Sequence, residues 1–179
     1  MRVITGTARG RKLNEPKNMD IRPTTDNVKE SIFNIVQFDV EGRRVLDLFA
    51  GTGQLGIEAL SRGAKSVTFV DQSTEAVELC KQNLAHCKLE GTVVKADSVS
   101  FLEKCGKFDL IFIDPPYESG LMDAALKKII KFDILSEGGI IICESKRENS
   151  VKSMELPYFI GREYNYGRVK LTVCGRKAD

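Results

Sequence analysis

The most specific chemical signal in the chain is the run Asp114-Pro115-Pro116-Tyr117, which follows an apolar stretch. Two consecutive prolines end a strand and restrain the backbone, so the Asp114 carboxylate and the Pro115 carbonyl can face the same space. Two acceptors at one point suit an exocyclic amine, because holding both N–H bonds leaves its lone pair available for attack. Tyr117 offers a ring on which a nucleobase can stack. The alternative is a plain strand stop, which needs neither Asp114 nor Tyr117.

A second signal is the glycine loop at residues 51–56, which matches the Gly-x-Gly-x-x-Gly pattern of dinucleotide sites, with Asp71 twenty residues beyond Gly51. This match keeps NAD as an alternative ligand. Asp47, just before the loop, argues against a pyrophosphate because like charges repel strongly in a partly buried site. A ligand with a cationic amino group and a sulfonium would be attracted instead. S-adenosylmethionine has both groups.

Acidic residues also follow the second and third predicted strands. We expect Asp71 to accept the ribose hydroxyls, and Asp97 with Ser98 to reach the adenine amino group. Asp97 could equally be only a helix cap. The predicted cofactor contacts at these strand ends are Asp47, Phe49, Ala50, Gly51, Gly53, Asp71, Gln72, Asp97 and Ser98.

The elements that must position these residues follow from hydrophobic periodicity. From Arg43 onward, β-branched runs alternate with amphipathic stretches, which is typical of βαβ units and a parallel sheet. Strands are predicted at 45–50, 66–70, 91–95, 108–113 and 139–144, with a closing antiparallel pair at 158–164 and 168–174. The expected fold is α/β, with a doubly wound, mostly parallel, seven-stranded sheet and an antiparallel edge. Ligands of such sheets bind at the carboxyl ends of the strands.

The helices that connect these strands are predicted at 55–61, from residue 73 onward, at 98–104 and at 122–132. Residues 1–14 contain two short β-like pieces around a turn, and residues 25–36 have helical periodicity. We therefore expect residues 1–40 to form an N-terminal extension packed on one domain at residues 41–179.

Composition excludes several classes of protein. With 179 residues, 42% of them hydrophobic and 29% charged, the chain is typical of one soluble globular domain. Its apolar runs are far shorter than a membrane helix, and its early polar residues predict a cytoplasmic protein. Five cysteines without a Cys-x-x-Cys pair predict neither disulfides nor a thiolate metal site. The single histidine, His86, near a predicted helix end, argues against a Ser-His-Asp triad and against zinc, so no metal is expected.

Charge is unevenly distributed along the chain, although the net charge is only +2. Residues 1–29 contain 7 basic and 3 acidic side chains, residues 30–161 contain 15 and 20, and residues 162–179 contain 5 and 2. A polyanion would therefore be met by the two ends of the chain.

Taken together, these residues resemble the S-adenosylmethionine-dependent amino-methyltransferases, and most closely the bacterial 16S ribosomal RNA (guanine-N2)-methyltransferases, the RsmD family. Similar segments lie along the whole chain, at 2–6, 9–13, 22–34, 47–53, 56–64, 114–117 and 166–167. The resemblance implies a Rossmann-like class I fold. It also implies methyl transfer to the N2 amine of a guanine in small-subunit ribosomal RNA, either free or in an assembling subunit. Arg168 departs from the family, in which the terminal Tyr-Gly is often followed by an acidic residue.

The resemblance also implies roles for residues in the N-terminal part. Thr24 would contact the methionine end of the cofactor, within a segment that closes over it. Arg9 and Arg11 would meet RNA phosphates, although a solvated turn is the alternative. Arg22 and Asn34 complete the predicted RNA contacts, together with Tyr117. We expect a monomer.

Three other functions remain open at this point. An N6-adenine DNA or RNA methyltransferase would use the same two acceptors, but about 40 extra residues leave little room for a separate target-recognition region. An NAD-dependent oxidoreductase would use the glycine loop. A noncatalytic RNA-binding module would need only the basic ends.

Overall fold

The computed structural model of the chain describes residues 1–17, 24–117 and 119–178. In chain order its elements are α1 (Asp26–Ile35), β1 (Arg44–Asp47), α2 (Gln54–Ser61), β2 (Ser66–Asp71), α3 (Thr74–Cys87), β3 (Thr92–Lys95), α4 (Ser98–Phe101), β4 (Phe108–Ile113), α5 (Leu121–Lys131), β5 (Leu135–Lys146), β6 (Tyr158–Tyr166) and β7 (Val169–Arg176). None of the helices in these ranges is long and apolar enough to cross a membrane.

The described strands form a seven-stranded sheet in the order β3-β2-β1-β4-β5-β7-β6. Strands β1 to β5 run parallel, and β7 is antiparallel to both β5 and β6. The predicted α/β fold is confirmed. β7 lies one position inside the edge, and β6 forms the edge itself. Strand order reverses between β1 and β4, so a crevice is expected at the carboxyl ends of these two strands.

The largest difference from the predicted elements is at β5, which begins at Leu135 rather than at residue 139. The Gly138-Gly139 pair was expected to form a turn that precedes the strand. Gly138 does adopt a positive φ of 68°, but the chain stays in the sheet through an irregularity in its pairing with β4. Between the pairs Phe108–Leu135 and Leu110–Ile140, β5 contains three more residues than β4, and a bulge accommodates them without ending the strand.

Both faces of the sheet are covered, as the apolar strands predict. On one face, Val45 and Phe112 pack in a cluster that also contains Phe33 of α1 and Leu84 of α3. On the other, Leu46 and other strand residues pack in a separate cluster with residues of α5. Adjacent strand residues point to opposite faces, which explains why Val45 and Leu46 belong to different clusters.

The first 14 residues form a hairpin-like segment, with a single β-bridge between Arg2 and Lys12, that docks on α2 through polar contacts. The fully buried Glu58 carboxylate accepts from the Ile4 N–H at 2.8 Å and the Thr5 N–H at 3.0 Å, and from Arg62 Nε at 2.9 Å. Buried carboxylates need such partners. The boundary at residue 40 stays a prediction, because Val3 and Leu13 share one apolar cluster with the sheet.

Candidate active site

A cavity of about 450 Å³ opens at the carboxyl ends of the parallel strands, where the reversal of strand order predicts it. Its volume is in the range of small-molecule sites. Twelve of the predicted site residues line it: Thr24, Asp47, Phe49, Ala50, Gly51, Asp71, Gln72, Asp97, Ser98, Asp114, Pro115 and Tyr117.

The glycine loop is held by the Asp71 carboxylate at the end of β2. Asp71 Oδ2 accepts from the Gly51 N–H at 2.9 Å, and Oδ1 accepts from the Ser73 N–H at 2.9 Å. Gly53 does not line the cavity. It precedes α2 with a φ of 84°, and a Cβ there would lie 2.6 Å from Cys80 Sγ. Glycine is therefore required at this turn both by its backbone conformation and by the space behind it.

Asp47, at the end of β1, is a buried carboxyl group that lines the cavity with only 2% of its surface exposed. Its Oδ2 accepts from the Gly56 N–H at 3.0 Å. The pKa of Asp47 is raised to about 7, mainly by burial and to a smaller extent by the negative charges of Asp114 and Asp71, while the Gly56 hydrogen bond opposes the shift. A cation in the cavity would favour the ionised form.

Asp97 and Ser98 lie where β3 ends. Asp97 is the N-cap of α4, because its Oδ1 accepts from the Ser100 N–H at 2.8 Å, and this hydrogen bond lowers the pKa of Asp97. Ser98 donates its hydroxyl to the Leu48 carbonyl at 2.6 Å. Both residues also line the cavity, so the helix-cap interpretation of Asp97 and a ligand contact are compatible.

The side chain of Asp114 is positioned by a residue near the beginning of the sequence. The Thr24 hydroxyl donates to Asp114 Oδ2 at 2.9 Å, and Gln54 Nε2 donates to the Thr24 carbonyl at 3.0 Å. This chain of hydrogen bonds joins the segment before α1, the glycine loop and the end of β4. The residues that the sequence places 90 positions apart therefore meet in one cavity.

Gln54 provides a test of whether the cavity suits S-adenosylmethionine. Its side chain is 5% exposed, and its Oε1 has no hydrogen-bond partner among the described residues. A buried acceptor of this kind calls for a donor, because an unsatisfied polar atom destabilises the protein. The ammonium group of the cofactor is such a donor, and Asp47 lines the same cavity.

Among the cavity residues that the sequence did not predict, Gln54 and Glu144 are buried polar side chains that could contact a ligand. Gln54 occupies a variable position of the glycine loop, and nothing in the motif distinguishes it. Glu144 lies in β5 with 7% exposure, and the Tyr117 hydroxyl lies within hydrogen-bonding distance, 3.5 Å from its Oε1. The rule that acidic residues follow strands would have found Glu144, because it ends the predicted fifth strand.

Of the predicted RNA contacts that the structure describes, Tyr117 lines the cavity, whereas Arg9, Arg11 and Asn34 do not. Arg9 is exposed in the turn of the hairpin-like segment, and Arg11 donates from Nη1 to the His86 carbonyl at 2.5 Å. His86 is exposed near the end of α3. Asn34 is exposed on α1, and Arg22 lies outside the described residues. Within the described ranges, no group of three or more His, Cys, Asp or Glu side chains could hold a metal ion.

Comparison with known proteins identifies the family of the chain. Residues 1–175 match the family described as "Conserved hypothetical protein 95". The chain is 34% identical to "Ribosomal RNA small subunit methyltransferase D" of Escherichia coli (strain K12), over 100% of this chain and 91% of that protein. The chain belongs to this family, the RsmD family. The chain is also 42% identical to "Putative rRNA methyltransferase YlbH" of Bacillus subtilis (strain 168), over 99% of this chain and 100% of that protein.

A solved structure shares the RsmD-family fold along the whole chain. "Putative methyltransferase yhhF from Escherichia coli" superposes with a TM-score of 0.90 at 34% identity, and covers 100% of this chain and 99% of that one. The Rossmann-like methyltransferase fold implied by the resemblance is therefore confirmed.

Proposed function

We propose that this RsmD-family protein transfers a methyl group from S-adenosylmethionine to the exocyclic N2 amine of one guanine in small-subunit ribosomal RNA. One observation carries the proposal: Asp47 and Asp114 line the same cavity from the neighbouring strands β1 and β4. A carboxylate suited to a cationic cofactor therefore lies beside an acceptor suited to an amine. The relatives support the choice of substrate, because the one from Escherichia coli is named as a ribosomal RNA small subunit methyltransferase and the one from Bacillus subtilis as a putative rRNA methyltransferase.

The chain's own residues would act mainly by positioning. When bound, the cofactor supplies an electrophilic methyl group on a sulfonium. Asp114 and the Pro115 carbonyl would each accept one N–H of the amine, which directs the nitrogen lone pair at the methyl carbon. Tyr117 would stack on the base, which must be unpaired or flipped out of its helix to enter. Asp114 can take up the proton that the amine loses.

At the cofactor end, Asp47 and Gln54 Oε1 would bind the ammonium group, and Thr24 would lie at the methionine end. Asp71 would accept the ribose hydroxyls while it holds the Gly51 N–H. Asp97 with Ser98 would meet the adenine. Phe49, Ala50 and Gln72 line the same cavity and would pack around the cofactor.

We place the RNA on the basic N-terminal part of the chain. Residues 1–29 contain 7 basic and 3 acidic side chains. Arg9 is exposed and could reach a phosphate directly, whereas Arg11 would have to exchange or share its bond to the His86 carbonyl. Phosphate contacts of this kind set the position of the RNA and make its affinity depend on salt.

The test is transfer of a labelled methyl group to small-subunit RNA, and to assembling small-subunit particles, isolated from a strain that lacks the gene. We expect one N2-methylguanosine per RNA, and loss of that nucleoside from the deletion strain. Large-subunit RNA from the same cells is the control. The absence of any transfer would contradict the proposal, and appearance of N6-methyladenosine would establish the adenine alternative.

A binding measurement separates the remaining alternatives. Calorimetry at a pH above 8, where Asp47 with its pKa of about 7 is ionised, should detect S-adenosylhomocysteine and not NADH, because the carboxylate then repels a pyrophosphate. Binding of NADH would favour an oxidoreductase. An RNA footprint without any methyl transfer would favour a noncatalytic RNA-binding module.

A further inference from the structure

We infer that Glu144 is a specificity-determining residue that selects guanine over adenine by accepting the N1–H of the target base. This inference rests on the proposed methylation of an exocyclic amine in the same cavity. It concerns a residue that the mechanism above does not use.

The sheet register places Glu144 directly beside Asp114. Ile113, the last residue of β4, pairs with Cys143 of β5, so Asp114, one residue beyond β4, lies next to Glu144. Adjacent strands lie about 4.8 Å apart. Both side chains line the cavity, and Glu144 is 7% exposed. The two acidic groups therefore form a pair of acceptors at the same end of the cavity.

Contacts within this end of the cavity tie Glu144 to the proposed base-binding position. Its Oε1 lies 3.5 Å from the hydroxyl of Tyr117, the residue proposed to stack on the base. The Lys146 ammonium, two residues along β5, lies 5.7 Å from the centroid of the Tyr117 ring. Val169 of β7 also lines the cavity. Asp47 lies on β1, two strands from β5 in the sheet, so Glu144 is on the side away from the cofactor residues.

The Watson–Crick edge of guanine has two adjacent donor positions, the N2 amine and N1–H. A base whose N2 amine is held by Asp114 would present N1–H to the next acceptor, which is Glu144. Adenine has an unprotonated N1, so the same carboxylate oxygen would face a lone pair and repel it. A buried polar group without its partner discriminates strongly against the wrong substrate.

The experiment compares guanine with 2-aminopurine, which keeps the N2 amine but has no N1 proton. Each base is placed at the mapped target position of small-subunit RNA, in the form that the wild-type enzyme modifies. The wild-type enzyme should prefer guanine in kcat/KM by roughly 100-fold. In Glu144→Gln, the amide can also donate to N1 of 2-aminopurine, so the preference should fall below about 10-fold.

Two controls make the outcome specific. Glu137→Gln makes the same change at the exposed beginning of β5 and should keep the wild-type preference. The affinity of Glu144→Gln for S-adenosylhomocysteine should remain within about 3-fold of wild type, which corresponds to less than the loss of one hydrogen bond. A purely structural role would not change the ratio between the two bases.

The inference would be overturned by an unchanged preference in Glu144→Gln, or by a fall of more than about 3-fold in its affinity for S-adenosylhomocysteine. If the variant does not fold, the base preference of the wild-type enzyme still tests the inference. Equal methylation of 2-aminopurine and guanine by the wild-type enzyme would overturn the inference. If the wild-type enzyme modifies no guanine at all, both the proposed function and this inference fail.

Discussion

The two halves of the cavity hold their acidic side chains in different ways. In the cofactor half, at the ends of β1, β2 and β3, backbone N–H groups bind Asp47, Asp71 and Asp97. In the acceptor half, at the ends of β4 and β5, side-chain hydroxyls contact Asp114 and Glu144. Backbone donors are fixed once the chain folds, whereas a hydroxyl can rotate away and let a substrate group replace it. The comparison suggests that the cofactor half is set by folding and that the acceptor half adjusts to the RNA.

The largest expected effect is on the acceptor half. Asp114→Ala removes an acceptor from the amine, so the rate of methyl transfer should fall by about 10²–10³-fold. Affinity for S-adenosylhomocysteine, measured by calorimetry, should change little because the cofactor half is intact. A variant that keeps the full rate would contradict the proposed mechanism.

The next effect is a pH dependence that arises from Asp47. Its pKa is about 7 in the folded protein, above the value of 3.8 for an unperturbed aspartate. The folded state therefore keeps a proton that the unfolded state loses, and stability falls as the pH rises from about 4 to about 7. Asp47→Asn should remove this loss, which amounts to about 2–3 kcal/mol between pH 5 and pH 7.5.

Urea unfolding of the ligand-free protein at several pH values measures this difference. The free energy of unfolding of Asp47→Asn, relative to wild type, should increase with pH through this window and level off above pH 7. If this difference in the free energy of unfolding did not change with pH, Asp47 would ionise normally in the folded protein. The two halves of the cavity would then differ less in how they hold their acidic side chains than proposed.

A third change tests whether hydrogen bonds from backbone N–H groups hold the residues of the cofactor half in place. Asp71→Ala leaves the Gly51 and Ser73 N–H groups without their carboxylate partner. Affinity for S-adenosylhomocysteine should fall by about 10–100-fold, since hydrogen bonds to a charged group contribute about 1.5–3 kcal/mol. Glu75→Ala, an exposed change in the first turn of α3, is the matched control. Equal affinities of the two variants for S-adenosylhomocysteine would contradict this role of Asp71.

The smallest effect is expected at Thr24. Thr24→Val removes the hydroxyl that donates to Asp114 and keeps the shape of the side chain. A net loss of about 0.5–1.5 kcal/mol predicts a decrease in kcat/KM of up to about 10-fold. Thr24→Ser, which retains the hydroxyl, should recover most of the activity. A larger loss in the serine variant than in the valine variant would rule out this role.

Much of the cofactor half could be predicted from the sequence, because its acidic residues lie at or within two residues of the ends of recognisable strands. Asp47, Asp71 and Asp97 all lie where that rule places them. The acceptor half was predicted only through the Asp114–Tyr117 run. Glu144 has the same local signal, because it ends the predicted strand at 139–144, but it is not among the predicted site residues.

Other features depend on tertiary packing and have no local signal. The hydrogen bond between Thr24 and Asp114 joins residues 90 positions apart, and no pattern within a single element indicates it. The beginning of β5 could not be predicted either, because a Gly-Gly pair indicates a turn unless a neighbouring strand can accommodate a bulge. Pairing with β4 determines whether the Gly-Gly pair forms a turn or a bulge, and this pairing exists only in the folded sheet.

The docking of the N-terminal hairpin-like segment has a consequence for the order of folding. Its contacts reach far along the chain: the Ile4 N–H binds Glu58, the Asn14 N–H binds Asn83 Oδ1, and Arg11 binds the His86 carbonyl. Asn83 Nδ2 also donates to the Thr52 carbonyl in the glycine loop at 3.0 Å. During synthesis, the segment is made first but cannot complete these contacts until α3 has emerged from the ribosome. The basic hairpin-like segment is therefore made before α2 and α3 but is secured only after both have emerged.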